Sequence, residues 1–347
     1  MSGVSKAIVQ PLLSWYDAGH RDLPWRSEPA PYRVWVSEIM LQQTRVEAVR
    51  GYFSRWMNAL PDIPALAAAD EAVYTKLWEG LGYYSRVRNL HRAAVLLCEE
   101  YGGELPADYD RLLALPGVGE YTAGAVASIA FGLPVPAVDG NVLRVAARLD
   151  NDFTPITDAK FKKQTRERFA ALMPSDRPGD LNQSLMELGA TVCLPNGAPR
   201  CGDCPIQHLC EGFHRGNAAV LPLRAAKKAR RVENRTVLVV RCGQLVGLRQ
   251  RPKKGLLAGL WELPSLDGHL SPDELRAALT EMDWSVRKLL SLRPAKHIFT
   301  HVEWHMNGVY VELDAPAPAL TFVTPAELRD AYALPSAFRS FVSVLED

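Results

Sequence analysis

Along the first two thirds of the chain, apolar residues recur every three or four positions. In the stretch VWVSEIMLQQTRVEAVRGYFSRWM they fall at Val36, Ile39, Met40, Val46 and Val49. That spacing is close to the 3.6-residue period and predicts a helical segment. NLHRAAVLLCEEYG repeats the pattern and runs into Gly102 and Gly103, a pair suited to cap a helix C-terminus. EYTAGAVASIAFG and NVLRVAARLD predict shorter helices rich in small residues, and DLNQSLMELGATVC leads into a group of cysteines. Few stretches here alternate with a period of two, so residues 1–218 read as an all-α domain.

The pattern changes after about residue 218. LPLRAAKKARRVENR carries Arg224, Lys227, Lys228, Arg230, Arg231 and Arg235 with little apolar periodicity. Residues 219–234 therefore read as a basic linker, a solvated tether with phosphate contact as the alternative. TVLVVRCGQLVGLRQRP gives two β-rich runs around a Cys-Gly turn. In KHIFTHVEWHMNGVYVEL, Asn307-Gly308 marks a hairpin turn. SPDELRAALTEM, with Ser271 as N-cap, and TPAELRDAYAL and SAFRSFVSVLED predict helices. Residues 235–347 are thus an α+β domain, and the fold class is multi-domain.

Composition narrows this only a little. The 347 residues are 48% hydrophobic and 23% charged, enough apolar mass for two or three domains at about 100–200 residues each. Net charge is +1, so any affinity for a polyanion must come from local charge. No apolar run reaches about 18 residues, which predicts no membrane span, and the N-terminus is too interrupted for a signal peptide. The expectation is a cytoplasmic protein of bacterial type, acting as a monomer.

Four of the six cysteines, Cys193, Cys201, Cys204 and Cys210, crowd into one stretch with gaps of seven, two and five residues. Clustered thiols of this kind suggest a metal site rather than disulfides. Structural zinc generally uses two close pairs. A single CxxC with two outlying cysteines suits the corners of a [4Fe–4S] cube better. LPGVGEYTA places Gly117 and Gly119 in a turn between the segment ADYDRLLAL and a helix start. Glycine lets backbone approach another molecule closely, and a helix N-terminus favours a phosphate. A plain tight turn between packed helices is the alternative. Asp139, in VPAVDGNVLRV, reads as a helix cap. Glu38 lies in an apolar run; buried there its pKa would rise and it could donate a proton, whereas on a surface helix it would be an ordinary glutamate.

The hairpin LPGVGEYTA, then VDGNVLRV, then the four-cysteine loop resemble, in this order, the helix–hairpin–helix DNA glycosylase superfamily with its iron–sulfur loop. WVSEIMLQQTRVEAV and GLGYYSRVRNL resemble its adenine DNA glycosylase (MutY) branch. The first cysteine gap is one residue longer than is usual there. The resemblance implies a monofunctional glycosylase of base excision repair, acting on double-stranded DNA with A:8-oxoguanine or A:G mispairs. It implies a [4Fe–4S] cluster on the four cysteines, Glu38 as general acid, and Asp139 as the anion that stabilises the sugar cation. It further implies that Asn141 orients Asp139 and that Arg144 links this loop to the cluster. Gln43 and Tyr83 would wedge into the duplex, and Arg26, Leu23, Trp25, Gln183 and Met186 would surround the base. Plain core packing is the alternative for Trp25 and Met186. In the bifunctional branch a lysine stands at the Tyr121 position, attacks the sugar and cleaves the strand; a tyrosine closes that route and would instead position the nucleotide and Glu38.

RPKKGLLAGLWELP resembles the Nudix-like domain of adenine glycosylases. The R-E-x-x-E-E run that a working Nudix hydrolase uses to hold Mg²⁺ is missing from the stretch that follows, which implies a binding module. Phe299, Thr300 and His301 match an F-S-H motif that contacts 8-oxoguanine, with threonine replacing serine. His297, His301 and His305 recur every four residues, a metal-site spacing on a helix, but the β-rich context argues for a strand. The competing readings are an endonuclease III-like lyase for oxidised pyrimidines and a non-catalytic, zinc-stabilised DNA-binding protein.

Overall fold

The computed structural model describes residues 4–195, 197–224 and 229–345. The chain divides into two compact units, Met1–Ala69 with Arg88–Ala226, and Asp70–Val87 with Lys227–Asp347. Asp70–Val87, although inside the helical part of the sequence, belongs with the C-terminal residues. No helix among the described residues is long and apolar enough to cross a membrane.

The first two thirds hold the helices α1 (Val9–Gly19), α2 (Pro31–Leu41), α3 (Val46–Ala59), α4 (Ile63–Ala67), α5 (Glu71–Leu77) and α6 (Ser85–Tyr101). They continue with α7 (Tyr109–Leu113), α8 (Glu120–Phe131), α9 (Gly140–Leu149), α10 (Ala159–Ala170), α11 (Pro178–Thr191) and α12 (Glu211–His214). Starts follow local chemistry: Pro31 and Pro178 open α2 and α11, where the missing N–H costs nothing, and Asp62 caps α4 by accepting from Ala65 N at 2.8 Å. One core joins Leu12 and Leu13 of α1, Val142 and Val145 of α9, Phe169 of α10, and Leu181 and Leu185 of α11. The periodic stretch from Val34 to Met57 is two helices, not one. It breaks between Leu41 and Val46, where Gln43 takes a left-handed φ of 58° that no helix can continue through.

The second unit is built on a sheet of β1 (Arg231–Cys242), β2 (Leu245–Gln250), β3 (Trp261–Glu262), β4 (Ser265–Asp267), β5 (Val286–Ser291), β6 (Ala295–Ile298), β7 (Val302–Leu313) and β8 (Thr321–Val323). Its main path runs β3-β2-β1-β7-β5. β1 pairs parallel with β7 and antiparallel with β2. The VLVV run of β1 is buried on both faces: Val237 and Val239 join Trp304, Phe338 and Phe341, while Leu238 and Val240 join Leu275, Leu279 and Trp284. Such a continuous apolar run is what a central strand requires. α13 (Pro272–Glu281), α14 (Pro325–Ala331) and α15 (Arg339–Val342) complete the unit. α13 and α14 start in capping boxes, Ser271 with Glu274 and Thr324 with Glu327.

Two expectations are corrected here. β1 begins at Arg231, inside the stretch read as a linker, and Arg235 pairs with Glu233 at 2.9 Å; Lys227 and Lys228 lie outside the described residues. Asn307-Gly308 is not a turn. Both residues sit inside the continuous strand β7, opposite Thr236 and Val237 of β1, and the hairpin turn falls at 299–301, between β6 and β7. Gly308 is required by packing: a Cβ there would stand 2.4 Å from Phe341 Cε1.

Gly308→Ala should therefore cost about 1–3 kcal/mol of stability, the usual penalty of overpacking, seen as a lower urea midpoint. Phe341→Leu in the same chain should recover part of it. An unchanged midpoint in Gly308→Ala would contradict the packing role.

Candidate active site

A cavity of about 560 Å³ opens in the helical unit, lined from α2, the 42–44 break, α8, the start of α9, α11 and the loop before α2. Eight of the eleven α2 residues are buried, from Tyr32 and Val34 through Met40. The helix is enclosed on nearly every side, and Glu38, on the cavity wall, is only 5% exposed. Its Oε2 accepts a short hydrogen bond from the Tyr121 hydroxyl. Burial pushes the Glu38 pKa from 4.5 up to about 7; Asp139 adds to the rise, and Tyr121 and Arg26 oppose it. Burial also raises the Tyr121 phenol well above its ordinary value, so it remains a donor at neutral pH. Of the two settings read for Glu38, the buried one is observed.

Asp139 is a helix cap and more. Its Oδ1 accepts from the backbone N–H groups of Asn141 and Val142 at 2.8 Å each, and its Oδ2 accepts from Asn141 Nδ2 at 2.7 Å. Burial raises its pKa, and these donors together with Arg144 hold the rise back. All three hydrogen-bond partners are N–H donors, which suits a carboxylate rather than a protonated acid. Asn141 is itself oriented: its Oδ1 accepts from Arg144 Nη2 at 2.8 Å. Arg144 also donates to the carbonyls of Cys193 and Gly189, both at 2.8 Å. A Cβ on Gly189 would stand 2.6 Å from the Asn141 Cβ, so α11 can pack this close only through glycine.

The cavity also gathers Leu23, Trp25, Arg26, Gln43, Gln183 and Met186. Trp25 is 6% exposed and packs edge-on against Phe53, so it serves core and cavity wall at once. Met186 Sδ lies 3.6 Å from the Tyr121 hydroxyl. Two further lining residues, Arg21 and Glu187, were not singled out from sequence. Glu187, 2% exposed, bridges Arg21 Nε at 2.6 Å and Arg26 Nη2 at 2.8 Å. Burial works against its charge, but Arg21 and Arg26 outweigh burial and hold the carboxyl below its ordinary value. Its signal was available, because LMELGA is an apolar helical run with one glutamate, as around Glu38.

Gly117 and Gly119 are exposed between α7 and α8 and are not among the cavity residues. Gly117 has φ 77°, and a Cβ there would meet the Asn89 Cβ at 2.6 Å, so backbone and neighbour both demand glycine. A Cβ on Gly119 would meet open space, and Gly119 is the N-cap of α8. Gln43 and Tyr83 are exposed with φ of 58° and 47°, strain of the kind that clusters at functional positions. In the second unit the turn Phe299–His301 joins β6 to β7. Phe299 packs on Trp304 with ring centroids 4.9 Å apart, Thr300 and His301 are exposed, and the Thr300 hydroxyl is 2.9 Å from the Tyr83 hydroxyl. His297 and His305 lie on strands.

Cys193, Cys201, Cys204 and Cys210 line one small cavity with Arg148, and none of the four is in a disulfide. Arg148 Nη1 is 3.1 Å from Cys193 Sγ, and the Cys210 thiol donates to the Arg148 carbonyl at 3.3 Å. No three Cys, His, Asp or Glu groups among the described residues converge on a single ion position. Four sulfur donors lining one small cavity are a donor set that suits an iron–sulfur group.

Comparison with known proteins is consistent across the chain. The family described as HhH-GPD superfamily base excision DNA repair protein matches residues 36–172, and the NUDIX domain matches residues 236–344. An adenine DNA glycosylase of Mus musculus is 38% identical across 97% of this chain and 77% of its own length. One of Mycolicibacterium smegmatis is 42% identical across 66% of this chain and 79% of its own. The solved structure of a thermostable thymine-DNA glycosylase aligns over 60% of this chain and 96% of its own, at a TM-score of 0.54 and 27% identity. With a base excision DNA repair domain matched in the helical part, a NUDIX domain matched after it, and relatives of this name alike across most of both lengths, the chain belongs to the adenine DNA glycosylase (MutY) family.

Proposed function

We propose that the chain removes adenine paired with 8-oxoguanine or guanine in duplex DNA, leaving an abasic site. The observation that carries this reading is the pairing of Glu38 with Asp139 at one cavity. One carboxyl is held protonatable near neutrality while the other is surrounded by N–H donors, so the two take opposite protonation states at one pH. The base must first leave the stack. Glu38 then donates its proton to the extruded adenine as the glycosidic bond breaks, and the bonding pair leaves with the base. Asp139 stabilises the oxocarbenium-like sugar that remains, as in carboxylate-assisted glycoside hydrolysis. Water adds to the sugar carbon, and Glu38 is placed to take up the proton released. Asn141, fixed by Arg144, keeps the Asp139 carboxylate facing the sugar. Leu23, Trp25, Arg26, Gln183 and Met186 enclose the base, with Arg21 and Glu187 holding Arg26 in place.

Elsewhere the turn at Gly117 and Gly119 offers backbone N–H groups to a DNA phosphate, and Gln43 and Tyr83 wedge into the duplex. The four cysteines hold a [4Fe–4S] cluster, which when bound anchors the loop whose Cys193 carbonyl receives Arg144. Thr300 and His301 read 8-oxoguanine from the second unit. Its α13 commits Glu274 to the capping box, which supports a binding module over a Nudix hydrolase.

Single-turnover excision from an A:8-oxoguanine duplex tests this, with free adenine and an uncleaved abasic strand as expected products. The active form has Glu38 protonated, and its pKa is about 7. The rate should therefore fall roughly tenfold per unit above about pH 7. It should also fall on the acid side once Asp139 takes up a proton, at a pH above its ordinary 3.8. A profile flat from about pH 6 to about pH 9 would rule Glu38 out as the acid.

Tyr121→Lys places an amine at the position now occupied by the phenol. It should form a Schiff base with the sugar that borohydride traps as a protein–DNA adduct. Efficient trapping by the unaltered chain would contradict the monofunctional reading.

A further inference from the structure

Between α5 and α6 the backbone takes left-handed φ values at Gly80 (99°), Gly82 (68°) and Tyr83 (47°). For a residue with a Cβ this conformation is disfavoured and persists only where surroundings impose it. Arg86, in the first turn of α6, imposes it. Its Nη2 donates to the carbonyls of Leu81 at 2.9 Å and Gly82 at 3.2 Å. Its backbone N–H donates to the Tyr83 carbonyl at 2.9 Å. The guanidinium lies 5.2 Å from the Trp78 ring centroid and 5.6 Å from that of Tyr83. Trp78 Nε1 donates to the Gly82 carbonyl at 3.0 Å. Burial lowers the Arg86 pKa to about 10, so the group keeps its charge at neutral pH. Leu81 is buried and Gly82 partly so, so these carbonyls need partners inside the protein, and the guanidinium that supplies one fixes the shape of the loop. At the far end, the Tyr83 hydroxyl meets the Thr300 hydroxyl. All of these residues belong to the same unit.

We propose that Arg86 is a positioning residue for recognition of the base opposite adenine: with Trp78, it holds Tyr83 in the conformation that brings its hydroxyl to Thr300. This rests on the reading of Tyr83 and Thr300 given above. Arg86 Nη2 is turned onto the loop, and the effect passes through Tyr83.

The test is a double-mutant cycle in the full chain. Single-turnover excision is measured opposite 8-oxoguanine and opposite guanine for the unaltered chain, Arg86→Met, Arg86→Lys, Tyr83→Ala and Arg86→Met/Tyr83→Ala. Arg86→Met should narrow the 8-oxoguanine preference about tenfold, the size of one lost base-edge contact. Tyr83→Ala should narrow it similarly, and the double variant should add little, because both changes remove one interaction. Arg86→Lys keeps a cationic donor and should fall in between. The proposal is overturned if Arg86→Met slows both substrates equally with the preference intact. It is also overturned if the two changes are additive. An unchanged preference in Tyr83→Ala would instead withdraw the reading of Tyr83, and this inference with it. Should Arg86→Met not yield soluble protein, Trp78→Phe removes the indole donor to Gly82 and part of the ring beside the guanidinium, and a preference it leaves untouched would count against the proposal.

Discussion

Removing a carboxylate from water costs several kcal/mol unless it is paired, and a helix enclosed on nearly all sides leaves Glu38 no way to avoid that cost. What the group meets inside is the Tyr121 phenol, which satisfies an oxygen without supplying a positive charge. The compromise is a carboxyl that takes a proton near neutrality. Glu187 shows what the same burial does with cations at hand: two arginines hold it ionised. These two glutamates line one cavity and are driven in opposite directions. Whether such a buried carboxyl stays protonatable or ionised follows from whether its hydrogen-bond partner carries charge.

The second carboxyl depends on a longer chain of contacts. Asp139 is held by Asn141, Asn141 by Arg144, and Arg144 by the carbonyl of Cys193 in the cysteine loop. Arg148, one turn further along α9, reaches the Cys193 sulfur and the Leu194 carbonyl. The geometry of the cysteine loop is therefore mechanically connected to the carboxylate at the start of α9. This gives a loop without an evident reaction of its own a reason to be rigid. Gly189 contributes by letting α11 approach Asn141.

Much of this was legible in the residues, for identifiable reasons. Glu38 stood out because a charged residue inside an apolar run must be buried or break the run, and Asp139 because it precedes a helix start. Tyr121 mattered through its offset from the hairpin glycines. What escaped was chiefly non-local. The bridge from Arg21 to Glu187 joins residues 166 positions apart, and no local pattern reports it. Gly308 looked like a turn because asparagine–glycine pairs favour one. Its actual reason is the Phe341 ring pressing on β7, which a strand pattern cannot reveal. The helix break at Gln43 was hidden because apolar spacing continues across it. The placement of Asp70–Val87 with the C-terminal unit depends on contacts such as Leu334 N to Glu79 Oε1 at 2.8 Å, again long-range.

In the proposed function the two units contribute by different physical means. One uses burial to set protonation. The other brings together the hydroxyls of two exposed residues, Thr300 and Tyr83, the latter on a backbone held in a disfavoured conformation. The protonation claim is central and has a direct measurement in Glu38→Gln, which keeps shape and hydrogen bonding but holds no proton to give. Binding to an A:8-oxoguanine duplex should persist in this variant, while the single-turnover rate should fall by about a hundredfold or more, the scale of general acid catalysis. A rate within a few-fold of the unaltered chain, with binding intact, would show that the proton comes from somewhere else.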